Sequence, residues 1–324
     1  MFTLEDKNEI LKDKKLVIFG YGNQGRPQAL NLKDSGVNPV IGLREKSSSI
    51  KKVENDGLRV MTIEEAINFG DVFIVLIPDE AQGDFFKKYI YDNLRENQTF
   101  IFAHGFSIFY KTVDMDDYPV NVGMVAPKGP GTALRERFLN KEYLPGILAE
   151  YKDYNNNLKE ILISYSYYTG MLQRGVFETT FKEEVHCDLF GEQVALCGVT
   201  VEVMKAAFNI LKEEGYSPEM AYYETIFEMK AIIDLIYYEG IEGMREKISD
   251  TAEFGAYEAV EEIFDKDMYK KLKERLETIK SKKFAKNWIS DYNSNKEKLK
   301  KYRESEKDSD VCKTERDMKK KGLL

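Results

Sequence analysis

The chain has 324 residues, 43% of them hydrophobic and 32% charged. At roughly 100–200 residues per domain this predicts two domains or one large one, and it excludes a disordered chain, a simple coiled coil, a disulfide scaffold and a collagen-like fibre. Lys and Arg number 48 against 56 Asp and Glu, a net charge of −8, so there is no overall basic field to draw nucleic acid or an anionic bilayer, and the expected partner is a small molecule.

The opening residues, MFTLEDKNEILKDKK, are too charged to supply the apolar stretch of a signal peptide. From 15 to 150, short β-branched runs alternate with helical patterns. KLVIFG precedes a helix from about Arg26 to Lys33, PVIGL a helix through Lys51, and LRVM a helix from Thr62; VFIVLIP, TFIFAHG and VNVGMVAP continue the series. Continuous apolar strands separated by crossover helices predict a parallel, doubly wound sheet. Thr62 and Glu65 form a capping box, and Ser35-Gly36 stops the first helix. The longest strongly apolar run, Val72 to Ile77, is far too short to span a bilayer. Three cysteines, Cys187, Cys197 and Cys312, lack metal-knuckle spacing and suit a reducing compartment, so a soluble cytoplasmic protein is expected. From about Thr180 the pattern turns wholly helical, dividing the chain into residues 1–179 and 180–324. Several of these helices are apolar on more than one face, as in a bundle or a subunit interface. The charged end from about Asn287, with Trp288 at its start, reads as a solvated helix and tail.

Gly20-Tyr21-Gly22-Asn23-Gln24-Gly25 follows the first strand directly and opens a helix, the context a dinucleotide fingerprint requires. Gly20 permits the tight turn, Gly22 lets backbone approach a pyrophosphate, and Gly25 allows helix and strand to pack closely. After the second strand, Glu45 could serve NAD, but Arg44, Lys46 and the serines Ser47, Ser48 and Ser49 make a cationic, hydroxyl-rich loop. Such a loop suits a 2′-phosphate, so NADP is expected over NAD.

Four carboxylates carry a second signal. Asp188 and Glu192 stand four apart in CDLFGEQ, and Glu224 and Glu228 four apart in YYETIFEMK. On helices each pair projects from one face, and two pairs facing each other would make an all-oxygen site for Mg²⁺. Acids at this spacing are also common on solvated helices. Their apolar setting (Leu189, Phe190, Val194, Leu196; Ile226, Phe227, Ile232, Ile233) favours the metal, because a buried acid needs a cation or a partner. His104 lies just past the strand Thr99–Ala103, at the sheet edge where open α/β folds bind ligands; an ordinary loop histidine would look the same. Lys128, in MVAPKGPG, follows another strand at that edge. His186 could neighbour a ligand or lie on the surface.

These segments together resemble one family. GYGNQG, GLREKSSS, LIPDEAQ, AHGFS, MVAPKGPGT, GVFETTF, DLFGEQVALCG, EGYSPEMAYYE, EMKAIIDL and SDTAEFG occur in the order found in ketol-acid reductoisomerases of the short, class I form, over about residues 10–290. The resemblance implies a Rossmann-type domain followed by an all-helical, knotted domain. It implies an enzyme of branched-chain amino-acid biosynthesis that isomerises and reduces acetohydroxy acids, using NADPH and two Mg²⁺ ions, in at least a homodimer. Carried over by motif, Tyr21 to Gln24 would cradle the pyrophosphate, Arg44, Ser47 and Ser49 the 2′-phosphate, and Asp79, Glu80, Ala81, Gln82 and Gly131 would line the cofactor. His104, Lys128 and Glu228 resemble the catalytic set. Asp188 looks like the carboxylate bridging two Mg²⁺ ions, with Glu192 on one and Glu224 and Glu228, from the partner chain, around the other; Ser249 resembles the substrate-carboxylate contact. The sequence departs from the family's usual pattern at Arg26-Pro27-Gln28, Phe109, His186 and Asp250. Two other readings are an NADPH-dependent hydroxy-acid reductase with no isomerase step, and a non-catalytic dinucleotide-binding paralogue.

Overall fold

In the computed structural model, which describes residues 1–324, each apolar run read as a strand forms one. β1 (Leu16–Phe19), β2 (Val40–Leu43), β3 (Arg59–Thr62), β4 (Val72–Val75), β5 (Thr99–Phe102) and β6 (Asn121–Pro127) pair in parallel in the order β3-β2-β1-β4-β5-β6. Successive side chains on a strand point to opposite faces, and here both faces are covered. Leu16, Ile18, Ile41, Ile74 and Ile101 enter one core; Val17, Phe19, Phe73, Phe100 and Phe102 enter the other. Within the second core, Phe73 stacks between Phe19 and Phe100, with ring centroids 5.6 and 4.9 Å away.

The helices that cover the sheet are α1 (Gly25–Asp34), α2 (Ile50–Asn55), α3 (Ile63–Phe69), α4 (Asp79–Phe85), the short α5 (Phe106–Phe109), α6 (Gly131–Leu139) and α7 (Leu158–Tyr168). Ala29 and Leu32 of α1 and Ile161 and Leu162 of α7 pack on the first core, Ile63, Ala66 and Ile67 of α3 on the second. The capping box at Thr62 forms in both directions, and α1 ends at Ser35 with Gly36 at φ +85°. Strand order reverses between β1 and β4, and the crevice beyond their carboxyl ends is where such sheets take ligands. The sheet is not wholly parallel: β7 (Gly146–Lys152) runs antiparallel to β6, and β8 (Val176–Glu178) completes eight strands.

The chain divides into two units, Met1–Val185 and His186–Leu324. α8 (Phe181–Gly191) is followed by α9 (Val199–Glu213), α10 (Pro218–Tyr222), α11 (Met229–Lys247), α12 (Asp250–Ile263), α13 (Lys266–Lys280), α14 (Lys283–Asn293), α15 (Glu297–Lys307) and α16 (Asp310–Lys320), all α-helical as expected. Three findings correct the sequence reading. The acid pairs do not sit on regular α-helix, because π-turns occupy Glu192–Leu196 and Tyr223–Phe227; Cys197 N–H bonds the Glu192 carbonyl at 2.8 Å and Glu228 N–H the Tyr223 carbonyl at 3.1 Å. The charged tail is not simply solvated: Val311 and Met318 of α16 are buried against Phe208, Ala221 and Tyr222. The stretch Phe181–Glu213, 33 residues with mean hydropathy 1.6 in its most apolar window, is long and apolar enough to cross a membrane by length and composition. Glu192, Gly198, Thr200, Glu202 and Lys205 interrupt its run of large apolar residues without making the average polar, which is why counting uninterrupted residues missed it.

Candidate active site

At the end of β1 the chain turns at Gly20, whose φ of +100° and whose position, 2.6 Å from the Leu76 carbonyl oxygen for an added Cβ, admit only glycine. At Gly22 nothing beyond its chain neighbours lies within 4 Å of where a Cβ would stand, so backbone is open to a ligand. Gly25 then starts α1. Its N-cap Gln24 makes no side-chain cap; Arg26 N–H bonds the Gly22 carbonyl at 3.2 Å and Pro27 has no N–H, so what the helix start offers an anion is the positive end of its dipole. Beside this turn is a cleft of about 470 Å³, lined by Gly20, Tyr21, Gly22, Arg44, Ser47, Ser49 and Ala81 among the expected cofactor residues. Ile63, Phe85, Lys88 and Tyr89 line it as well. None of these four was singled out from the sequence, where each reads as an ordinary core or helix-surface residue.

The remaining expected cofactor residues frame the cleft without lining it. Gln24 donates to the Gly129 carbonyl at 3.3 Å, tying the first turn to the loop after β6. In that loop an added Cβ on Gly131 would lie 1.7 Å from the Asn23 carbonyl oxygen. Gln82 is buried and donates to the Ile77 carbonyl at 3.0 Å and to Asp79 Oδ1 at 3.1 Å, which fixes the start of α4, where Glu80 also sits.

Asp79 links this cleft to the second cluster. Its Oδ2 lies 3.2 Å from His104 Nδ1, just beyond β5. On the other side of the imidazole, Nε2 lies 3.8 Å from Glu184 Oε2. Glu184 is 4% exposed and accepts the Gly105 N–H at 2.9 Å. His104 therefore stands between two carboxylates. Glu184 was missed because Lys182-Glu183-Glu184 reads as a solvated helix start; its only sequence signal is its place one turn before Asp188 on α8. Lys128 is exposed at the end of β6, its N–H bonded to the Pro145 carbonyl at 3.0 Å.

In the helical unit Asp188 is half-buried, Glu192 opens the first π-turn, Glu224 lies in the second and Glu228 caps it, the last two exposed. These four acids do not close into a metal-ligand cluster within the unit. Ser249 is the N-cap of α12, its Oγ accepting the Ala252 N–H at 3.2 Å. His186 is half-buried on α8.

Comparison with known proteins agrees along most of the chain. Residues 10–175 match the family described as acetohydroxy acid isomeroreductase, NADPH-binding domain, and residues 181–322 match the ketol-acid reductoisomerase C-terminal domain. A ketol-acid reductoisomerase (NADP(+)) of Methanocaldococcus jannaschii is 45% identical over 86% of this chain and 84% of its own length. That of Clostridioides difficile is 41% identical over 96% of this chain and 94% of its own. Among solved structures, an NADH-preferring ketol-acid reductoisomerase from an uncultured archean is 37% identical and superimposes with a TM-score of 0.95 over 98% of both chains. Family matches over both regions, and relatives above 40% identity over most of the chain, establish that this chain belongs to the ketol-acid reductoisomerase family.

Proposed function

We infer that the protein converts 2-acetolactate or 2-aceto-2-hydroxybutyrate to the 2,3-dihydroxy acid by alkyl migration and NADPH-dependent reduction, in valine and isoleucine biosynthesis. The observation that carries this reading is the joining, through Asp79, of a dinucleotide cleft to the His104–Glu184 pair, with Glu184 on the helix that bears Asp188. The residues fit the groups the reaction requires. The open approach at Gly22 and the helix dipole at the start of α1 suit a pyrophosphate, and Arg44, Ser47 and Ser49 suit a 2′-phosphate. Asp188, Glu192, Glu224 and Glu228 are carboxylates, oxygen donors of the kind Mg²⁺ takes, and would make an all-oxygen set once a second copy of the chain contributes its pair.

When bound, the dinucleotide supplies hydride and the divalent ions supply Lewis-acid polarisation of adjacent substrate oxygens. Asp188 and Glu192 would hold the ions. The substrate hydroxyl must lose its proton for the alkyl group to move to the neighbouring carbonyl carbon, and Glu228 is assigned to take it. Lys128 is assigned to balance charge on the substrate oxygens, His104 to hold Asp79 and Glu184 in place, and Ser249 to bind the substrate carboxylate.

Glu224 and Glu228 are assigned to a second copy of the chain, making a homodimer with shared sites. Large apolar side chains left exposed by the helical unit support this, among them Leu196 at 70%, Ile241 at 68% and Phe254 at 65%. The apolar stretch through α9 is read as part of that interface rather than a membrane span, since Asp188, Glu192 and Glu202 lie along it. On this reading the enzyme is soluble and cytoplasmic, with domains of residues 1–179 and 180–324. The test is NADPH oxidation with 2-acetolactate, and separately with 3-hydroxy-3-methyl-2-ketobutyrate, with and without Mg²⁺. Mg²⁺-dependent turnover of both is expected; NADPH binding without turnover of either would overturn the assignment.

A further inference from the structure

Arg26, the first of the three residues at which this chain departs from the usual pattern after its first turn, makes a contact to which the proposed reaction assigns no role. Arg26, in the first turn of α1, forms a two-pronged pair with Asp56: Nε to Oδ2 at 2.7 Å and Nη2 to Oδ1 at 2.8 Å. Tyr21, buried beside the cleft, donates its hydroxyl to the same Oδ2 at 2.8 Å. Two turns further along α1, Lys33 donates to the Asp56 backbone carbonyl at 2.6 Å, and Gly57 turns the chain there with φ +68°. The Asp56 side chain is 14% exposed, so it is largely shielded from solvent. A guanidinium at a helix N-terminus opposes the helix dipole, and Asp56 compensates for it.

Asp56 caps the carboxyl end of α2, whose other end is Ser49. That helix has six residues, about 9 Å of rise, so little slack separates the Arg26–Asp56 pair from the loop of Arg44, Ser47 and Ser49. The clasp thus ties the turn over the pyrophosphate position to the loop expected to take the 2′-phosphate.

We propose that Arg26 and Asp56 are positioning residues for cofactor selection: by fixing the far end of α2 to α1, they hold Ser47 and Ser49 at the distance from the Gly20–Gly25 turn that a 2′-phosphorylated dinucleotide spans. The proposal rests on the reading of this cleft as the NADPH site. It separates the clasp from a merely structural ion pair, whose loss would change NADPH and NADH binding alike or not at all.

The experiment measures dissociation constants of NADPH and NADH for the full-length protein by fluorescence titration, with melting temperatures alongside, in R26A, R26K, D56N and R44A. Loss of the charge-assisted pair is expected to lower the preference for NADPH over NADH about tenfold in R26A and D56N. R26K keeps the charge but not the planar fork, and its preference is expected to stay depressed by at least about threefold. Equal weakening of both nucleotides in R26A and D56N, or full restoration by R26K, overturns the proposal. R44A separates the two levels. If it lowers the preference and D56N does not, the clasp alone is refuted; if R44A leaves the preference unchanged, the 2′-phosphate reading of the loop fails and takes the proposal with it.

Discussion

Substituting Gly131 by alanine tests whether the loop after β6 and the first glycine turn form one cofactor frame. The new Cβ would stand 1.7 Å from the Asn23 carbonyl oxygen and 3.1 Å from Pro27 Cγ, whereas ordinary contact begins at 3.4 Å. The two segments must therefore part by about 1.7 Å. Movement of α6 away from α1 is opposed by Arg135, which binds Asn31 Oδ1 at 2.9 Å and Asp34 Oδ2 at 2.6 Å, both at the far end of α1. The strain falls on the turn Tyr21–Gln24. Overpacking of this kind costs about 1–3 kcal/mol, which corresponds to about five- to 150-fold in affinity if the displaced turn no longer accepts the pyrophosphate. Fluorescence titration with NADPH should show a dissociation constant raised by about tenfold or more, and the melting temperature should fall by about 3–8 °C. A G131A protein that binds NADPH within about twofold of the wild type and melts at the same temperature would refute the reasoning.

Other consequences follow from the same contacts. Met318 is 1% exposed, and Met318→Ala should cost about 2–4 kcal/mol in chemical denaturation while NADPH affinity is retained; a loss below about 1 kcal/mol would mean that α16 does not pack as described. The Arg26 guanidinium, with help from the Tyr21 hydroxyl, holds the Asp56 carboxyl at about 2 against an ordinary 3.8. A carboxyl lowered on folding stabilises fully above its unfolded value, and here the contribution, about 1–2 kcal/mol, disappears as pH falls from about 4 through about 2. The stability difference between wild type and D56N should thus be constant near neutrality and shrink over that acid window; a difference that grows on acidification would contradict the pairing. If Asp188 holds the divalent ions as proposed, Asp188→Ala should abolish both isomerisation and reduction while leaving NADPH binding intact, and a variant that kept Mg²⁺-dependent isomerisation would contradict that assignment.

The sheet was legible because a strand covered on both faces needs apolar residues at consecutive positions, and β1, β4 and β5 are such runs. β7 was not. GILAEYK mixes apolar with charged residues, and its antiparallel course follows from the path of the chain after α6, which no local pattern records. The capping box at Thr62 was readable because it is a local contact of four residues. The π-turns at Glu192 and Tyr223 were not, since spacing along the sequence is the same whichever hydrogen-bond ladder the backbone chooses. α16 carries Val311 and Met318 as its buried apolar pair, seven residues apart among charges, too sparse a stripe to distinguish from a solvated helix. Of the candidate site, the glycine turn and the cationic, hydroxyl-rich loop after β2, which line one cleft, were legible from their place after strands. Glu184 and Asp56 escaped because each owes its setting to a residue distant in sequence, Glu184 to Gly105 and His104, Asp56 to Arg26.

The central claim is that one site both rearranges and reduces its substrate. The most direct measurement is the proton NMR spectrum of the product formed from 2-acetolactate with NADPH and Mg²⁺. The account predicts 2,3-dihydroxy-3-methylbutanoate, in which both methyl groups sit on one hydroxylated carbon and give singlets. A methyl doublet beside a singlet would identify 2,3-dihydroxy-2-methylbutanoate, the product of reduction without migration, and would contradict it.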